Sequence, residues 1–223
     1  MRNQSTINPG STTDNQSRHF LMYSAISLTF LTCLLAFIAW GQNNNWQLIG
    51  ISTYQLFPIF GLIAFSIMWS QYGMEGIINF LGHPHAIDRY FTATGWLVLF
   101  AILLHPGLLI AQRYHDGYGL PPGSYESYVA PMQKWIVTLG SVSLLMFLAF
   151  ELKRWYSDKS WWKYVLLLND IAILAIFYHG LRLGQDTGYH WFQYVWYFYG
   201  IILIPVFIYR YMRKFQQQAA KRA

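Results

Sequence analysis

Seven histidines and one cysteine hold most of the metal-ligating capacity of this 223-residue chain. Five of the histidines, His19, His83, His85, His115 and His190, fall at the edges of apolar stretches or between them. Only His105, in FAILLHPGLL, and His179, in LAIFYHGLRLG, lie well inside apolar runs. An ionisable side chain inside a membrane helix is costly, which makes such a residue a functional candidate by default. A neutral imidazole keeps one nitrogen lone pair free to ligate a metal. Cys33 stands alone in an apolar run, so no disulfide or cysteine cluster is available.

The elements that must position these rings follow from composition. The chain is 55% hydrophobic, 19% aromatic and only 11% charged, where a soluble domain carries about a quarter charged residues. The apolar residues gather in six segments, roughly 20–40, 48–70, 90–112, 132–152, 163–183 and 192–211, each near the roughly 20 residues that a span needs. This predicts an all-α membrane protein, a six-transmembrane-helix bundle. Pro58, Pro106 and Pro205 fall within spans, where neighbouring helices can satisfy the freed carbonyls. Segment 73–85 is too short to cross, and is expected either to lie along the interface or simply to join the second span to the third. The polar residues 1–18 are expected to be a disordered cytoplasmic N-terminus. Residues 19–212 would form the membrane domain and 213–223 a basic cytoplasmic tail. The first apolar run lacks a cleavage pattern and reads as an uncleaved anchor.

Lys and Arg residues set the orientation. The side holding both termini and the loops 71–89 and 153–163 collects twelve of them, and the other side holds only Arg113, Lys134 and Arg182. Positive residues stay inside, so both termini are expected in the cytoplasm of a multi-pass plasma-membrane protein. The formal charge of +6 is therefore a topology signal and not a nucleic-acid patch. Membrane lipid is the expected partner, and a homo-oligomer stays open.

The third and fifth spans run in the same direction. His105 lies about four residues and His179 about six residues beyond the middle of its span, roughly 6–9 Å outward of the bilayer centre. Two imidazoles at matched depth on parallel helices can approach one iron from opposite faces, with a porphyrin between them: one heme b, in the outer leaflet. Arg182 follows His179 by three residues on the same helical face, and Arg113 ends the third span on that side. Both could pair with propionates. The plainer alternative is that the two histidines bond separate neighbouring helices as polar glue.

At these residues the chain resembles the ferric reductase-like transmembrane domain, a family that includes NADPH oxidases, the STEAP metalloreductases and the heme subunit of periplasmic methionine-sulfoxide reductase. The resemblance covers roughly residues 50–210 and rests on GWLVLFAILLHPGLL, YHGLRLG and the six spans. Family members typically carry two histidines on each of these two helices and stack two hemes. Here the inner positions are Phe91, fourteen residues before His105, and Leu166, thirteen before His179. Neither ligates iron, so the resemblance implies one heme, the outer one, with a flavin on the inner side as in the STEAP-like arrangement. The family's flavin and nicotinamide domain does not follow the sixth span, which implies a separate electron donor, a flavin reductase or quinol. The expected function is that of a b-type cytochrome passing electrons to an outer acceptor, as the transmembrane component of a reductase system. The competing expectation is a non-redox scaffold that keeps the fold.

Other residues carry weaker signals. Asp170, beside Asn169, is a carboxylate deep in the fifth span, about half a turn of the helix away from His179, where it would face another helix. His83 and His85 form an HPH triplet better read as a solvated loop than as a metal site. His115 and His190 lie in outer loops, where a reductase would meet its acceptor. No P-loop, nucleophile triad or dinucleotide fingerprint occurs, and the paired intramembrane charges of a transporter are not evident.

Overall fold

The structure, a computed structural model, describes residues 10–83, 85–125, 128–152, 156–188 and 190–220, with side chains at all of these except 10–14, 188, 190 and 217–220. Every regular element among the described residues is helical: α1 (Gly10–Asn43), α2 (Thr53–Phe80), α3 (Asp88–His115), α4 (Lys134–Glu151), α5 (Trp162–Leu183) and α6 (His190–Ala220). Short helical turns at Gly123–Tyr125, Pro131–Gln133 and Gln185–Gly188 occupy the connections. Six helices are long and apolar enough to cross a membrane, which agrees with the six segments read from sequence. The end of the bundle at which α1 starts and α6 finishes is called here the terminal end, and the end with the loops after α1, α3 and α5 the distal end. Helix α1 begins at Gly10, so residues 10–18, expected to be disordered, are helical instead. Lengthening an existing helix adds a hydrogen bond per residue without a new nucleation cost, so polar sequence can continue a span.

Helix α2 is the hub. It opens with a capping box, in which Ser52 Oγ accepts from the Gln55 backbone N–H and Gln55 Oε1 from that of Ser52. In its most apolar stretch 61% of residues are buried inside the protein, against 17–22% for the other spans. Between membrane helices, packing and hydrogen bonds replace the hydrophobic drive, because lipid tails are as apolar as the side chains. Accordingly α2 is hydrogen-bonded to four of its neighbours. Trp40 of α1 donates Nε1–H to the Gln55 carbonyl at 2.7 Å, and Thr32 meets Ser70 at 3.0 Å. Gln71 donates to Thr94 of α3 at 2.8 Å. Tyr72 donates to Asp170 of α5 at 3.0 Å, and Trp69 donates Nε1–H to the Tyr199 carbonyl of α6 at 2.9 Å.

Aromatic rings interlock α2, α5 and α6. Phe65 lies 4.4 Å from Trp196, and Trp69 stacks on Tyr199 at 4.4 Å. Phe177 of α5 lies parallel to Trp196 of α6 at 5.9 Å. Two glycines permit this, each receiving a ring from the other helix: a Cβ on Gly180 would stand 2.6 Å from Trp196, and one on Gly200 2.5 Å from Phe177. Towards the terminal end a charged network joins the same three helices. Arg210 of α6 pairs with Asp170 of α5 and Glu75 of α2, while Tyr211 donates to Asp170 at 3.0 Å and Asn169 to Tyr72 at 2.9 Å. Asp170 does face another helix, and its carboxylate serves as a bolt between helices.

Helix α4 packs broadly on α5 alone, and α3 broadly on α2 alone. Between α3 and the α4–α5 hairpin the described residues make at most a grazing approach. Helices α2–α3 and α4–α5 therefore form two hairpins, with α1 and α6 packed on α2, and the line between α3 and α5, where the described residues pack little, is called here the seam. If the glycine seats govern the α5–α6 contact, Gly200→Leu should destabilise the bundle by about 1–3 kcal/mol through overpacking against Phe177. Thermal unfolding in detergent would measure this, and an unchanged midpoint would count against the ring-in-glycine packing.

Candidate functional site

His105 and His179 come from the two helices that border the seam, and both have the same seat. The His105 Nδ1 lies 3.0 Å from the Phe57 carbonyl of α2. The His179 Nδ1 lies 2.9 Å from the Ile136 carbonyl of α4. A carbonyl can only accept, so each Nδ1 carries the proton and each Nε2 keeps its lone pair. Four residues after each acceptor, one helical turn on, stands a glycine. A Cβ at Gly61 would come within 2.8 Å of His105 Nδ1, and one at Gly140 within 2.7 Å of His179 Cε1. No larger residue fits at either position unless the ring moves. The phrases FPIFG and IVTLG are thus the counterparts of the two histidines, one in each hairpin.

Phe57 adds a tilted ring contact with His105 at 5.2 Å between centroids. Beside His179, Tyr178 stacks on Trp135 of α4 at 5.7 Å. Both imidazoles are half-buried. Phe57 and Ile136 lie near the distal starts of α2 and α4, so both seats belong to the distal half of the bundle. Among the described residues no three His, Cys, Asp or Glu side chains gather as a bare metal ion would require. Two imidazoles suffice as axial ligands when a macrocycle brings the other four donors. A lone pair free on Nε2 and a backbone carbonyl accepting from Nδ1 are what a metal-ligating imidazole needs.

The two arginines diverge. Arg113 is 5% exposed and built into the α3–α4 connection: Nη2 donates to the Ser124 carbonyl at 3.1 Å, and the guanidinium lies 3.5 Å from the centroid of the Tyr118 ring and 5.7 Å from that of Tyr128. These contacts tie Arg113 to the described residues of the α3–α4 connection. Tyr128 in turn packs on Phe57 at 6.2 Å, which links the connection to the His105 seat. Beside it, the Tyr54 hydroxyl donates to Asp116 at 2.6 Å and holds that carboxyl below its ordinary pKa. Arg182, on the last turn of α5, is exposed.

The remaining candidates lie apart from the pair. Phe91 packs in a separate cluster with Tyr90, Met74 and Ile78, and Leu166 is half-buried one turn before Asp170. His85 sits 3.2 Å from Asp88 in an exposed contact, and His83 lines a shallow pocket with Arg18. His115 is exposed, 3.5 Å from Asp116. The side chain of His190, together with Glu126, lies outside the described residues. Comparison with protein-family models, with curated proteins and with solved structures finds no match, so the geometry of the pair carries the functional reading.

The seats make a prediction about the protein alone. With 15N-labelled histidine, nuclear magnetic resonance should show His105 and His179 as neutral Nδ1–H tautomers. Gly140→Leu should abolish this signature for His179 and leave His105 unchanged. An Nε2–H tautomer at either ring would contradict the assignment.

Proposed function

We propose that the chain is a b-type membrane cytochrome, with His105 and His179 as the axial ligands of one heme b held in the seam between α3 and α5. The observation that carries this reading is the duplicated seat: two histidines on parallel helices, each with Nδ1 on a backbone carbonyl and a glycine against the ring. Polar glue between helices would need neither the same tautomer twice nor the same glycine spacing. When bound, the heme supplies one-electron redox chemistry; the chain supplies ligation, orientation and an apolar surround. The carbonyl bonds fix the plane of each imidazole and raise its basicity as a ligand. Arg182 offers a guanidinium to a carboxylate at the distal rim, whereas Arg113 orders the connection above.

The uneven split of Lys and Arg supports an orientation with both termini in the cytoplasm of the plasma membrane, which puts the seats in the outer half. On this reading the protein is the transmembrane electron-transfer component of a ferric reductase-like system, taking electrons from a separate donor, a flavin reductase, a bound flavin or quinol. They pass to an acceptor outside. Phe91 and Leu166 support a single heme. The terminal half between α2, α5 and α6 is instead filled by Tyr72, Asn169, Asp170 and Arg210.

Titration of the purified chain with hemin tests the proposal. Saturation should occur at one heme per chain, with a b-type spectrum on reduction, and His105→Ala or His179→Ala should each remove it while the helical content stays unchanged. A chain that stays colourless would sink the cytochrome reading in favour of a scaffold. Saturation at two would refute the placement.

A further inference from the structure

At the distal end, away from the histidine seats, a half-open cavity of about 430 Å³ lies where α1 ends, α6 begins and the Gln185–Gly188 turn crosses between them. That volume falls in the range of roughly 300–1,000 Å³ typical of small-molecule sites. Four neutral carboxamides, Gln42, Asn43, Asn45 and Gln185, line it, and all four are exposed. Asp186 is the one charged lining residue, but it is 7% exposed with Oδ1 sealed inside the protein, so it adds little to the open surface. Trp191 forms an aromatic side. Its Nε1–H donates to Gln42 Oε1 at 2.8 Å, which fixes the indole and leaves the Gln42 amide N–H groups as donors. Both walls are held by the protein's own bonds. The Trp46 N–H donates to the Gly41 carbonyl at 2.8 Å and Asn44 Nδ2 to the Trp40 carbonyl at 2.8 Å, which closes the end of α1 around Asn45. Opposite, Thr187 Oγ1 donates to the carbonyls of Gly180 and Gly184 and holds the turn that carries Gln185.

A carboxamide brings two N–H donors and an acceptor oxygen. Four of them around one cavity suit a ligand that carries donors and acceptors side by side, as neighbouring hydroxyls do. Among the described lining residues no Lys, Arg or His is present to hold an anion. A bare metal ion finds no group of three His, Cys, Asp or Glu among the described residues. An apolar molecule would displace water from the carboxamides without replacing its hydrogen bonds. The face of an indole carries negative charge density, which attracts the weakly positive C–H face of a pyranose ring. The cavity lies at the span ends Asn43 and Trp191, level with the membrane interface. We propose that this cavity is a binding site for a neutral sugar ring, its hydroxyls held by Gln42, Asn43, Asn45 and Gln185 and its C–H face set against Trp191. A soluble saccharide and a glycolipid headgroup share this chemistry. The site is independent of heme binding.

The test uses the full chain in nanodiscs of phosphatidylcholine, free of sugar-based detergent, titrated with methyl glucoside by saturation-transfer nuclear magnetic resonance. Saturable binding is expected, with the strongest transfer to protons on one face of the ring. Asn45→Gly combined with Gln185→Ala removes two exposed carboxamides, glycine suiting the φ of 50° at position 45. Affinity should fall about tenfold or more in this variant. Cyclohexanol, a ring of similar size with one hydroxyl, should bind the wild type far less well, a comparison that holds even if the variant fails to fold. Native mass spectrometry after exposure to monoglucosyl diacylglycerol separates the sources. Retained glycolipid that methyl glucoside displaces identifies the headgroup, and methyl glucoside binding without lipid retention identifies a soluble saccharide; either supports the site. No saturable binding to the wild type, equal binding of cyclohexanol, or unchanged affinity in the folded variant would overturn it.

Discussion

Helices in lipid gain little from hydrophobic contact with one another, so this bundle depends on hydrogen bonds made by its central helix. Helix α2 bonds to α1, α3, α5 and α6 through Trp40, Gln71, Tyr72 and Trp69. Each such bond contributes on average about 0.6 kcal/mol between membrane helices. Their number and direction matter more than the strength of any one, because each fixes the rotation of a neighbour about its own axis. Rotation decides which residues face the seam. With α3 set by Gln71–Thr94, His105 is turned towards α2; with α5 set by Tyr72–Asp170, the opposite face of α5 is free to present His179 to α4.

The two imidazole seats extend the same economy. In each, a backbone carbonyl that already serves its own helix accepts a second hydrogen bond, and a missing Cβ one turn on lets the ring approach. The α2–α3 and α4–α5 hairpins reach this arrangement with different residues, Phe57 with Gly61 and Ile136 with Gly140. The device therefore depends on backbone and space, not on a particular side-chain partner. The Glu75, Asp170 and Arg210 network lies towards the terminal end, and Arg113 packs on Ser124 and Tyr118 at the distal end, which leaves Arg182 as the charged residue one turn from His179.

Much of this was legible in the sequence because lipid imposes a strict rule on length and polarity. Six apolar runs became six helices, and the only two histidines deep within them are the two with a shared seat. Asp170 was readable as a residue facing another helix, since nine positions from His179 put it on the opposite side. The start of α1 was not, because composition describes what a segment can bury and not whether a helix already under way will continue through it. Gly61 and Gly140 were also missed. A glycine in a membrane helix is common, and its meaning lies in the ring that fills the space across the contact. Arg113 and Arg182 looked alike from the sequence, two basic residues at distal span ends. Folding of the α3–α4 connection separated them, and that depends on contacts from Ser124, Tyr118 and Tyr128 that no local pattern announces.

The central claim is that His105 and His179 ligate one iron together. Electron–nuclear double resonance on the oxidised, heme-loaded chain tests it most directly, with 15N introduced at histidine. The account predicts a low-spin ferric centre coupled to two equivalent imidazole nitrogens, one of which vanishes in His105→Ala and the other in His179→Ala. Coupling to a single histidine, or to a pair that survives both substitutions, would contradict it.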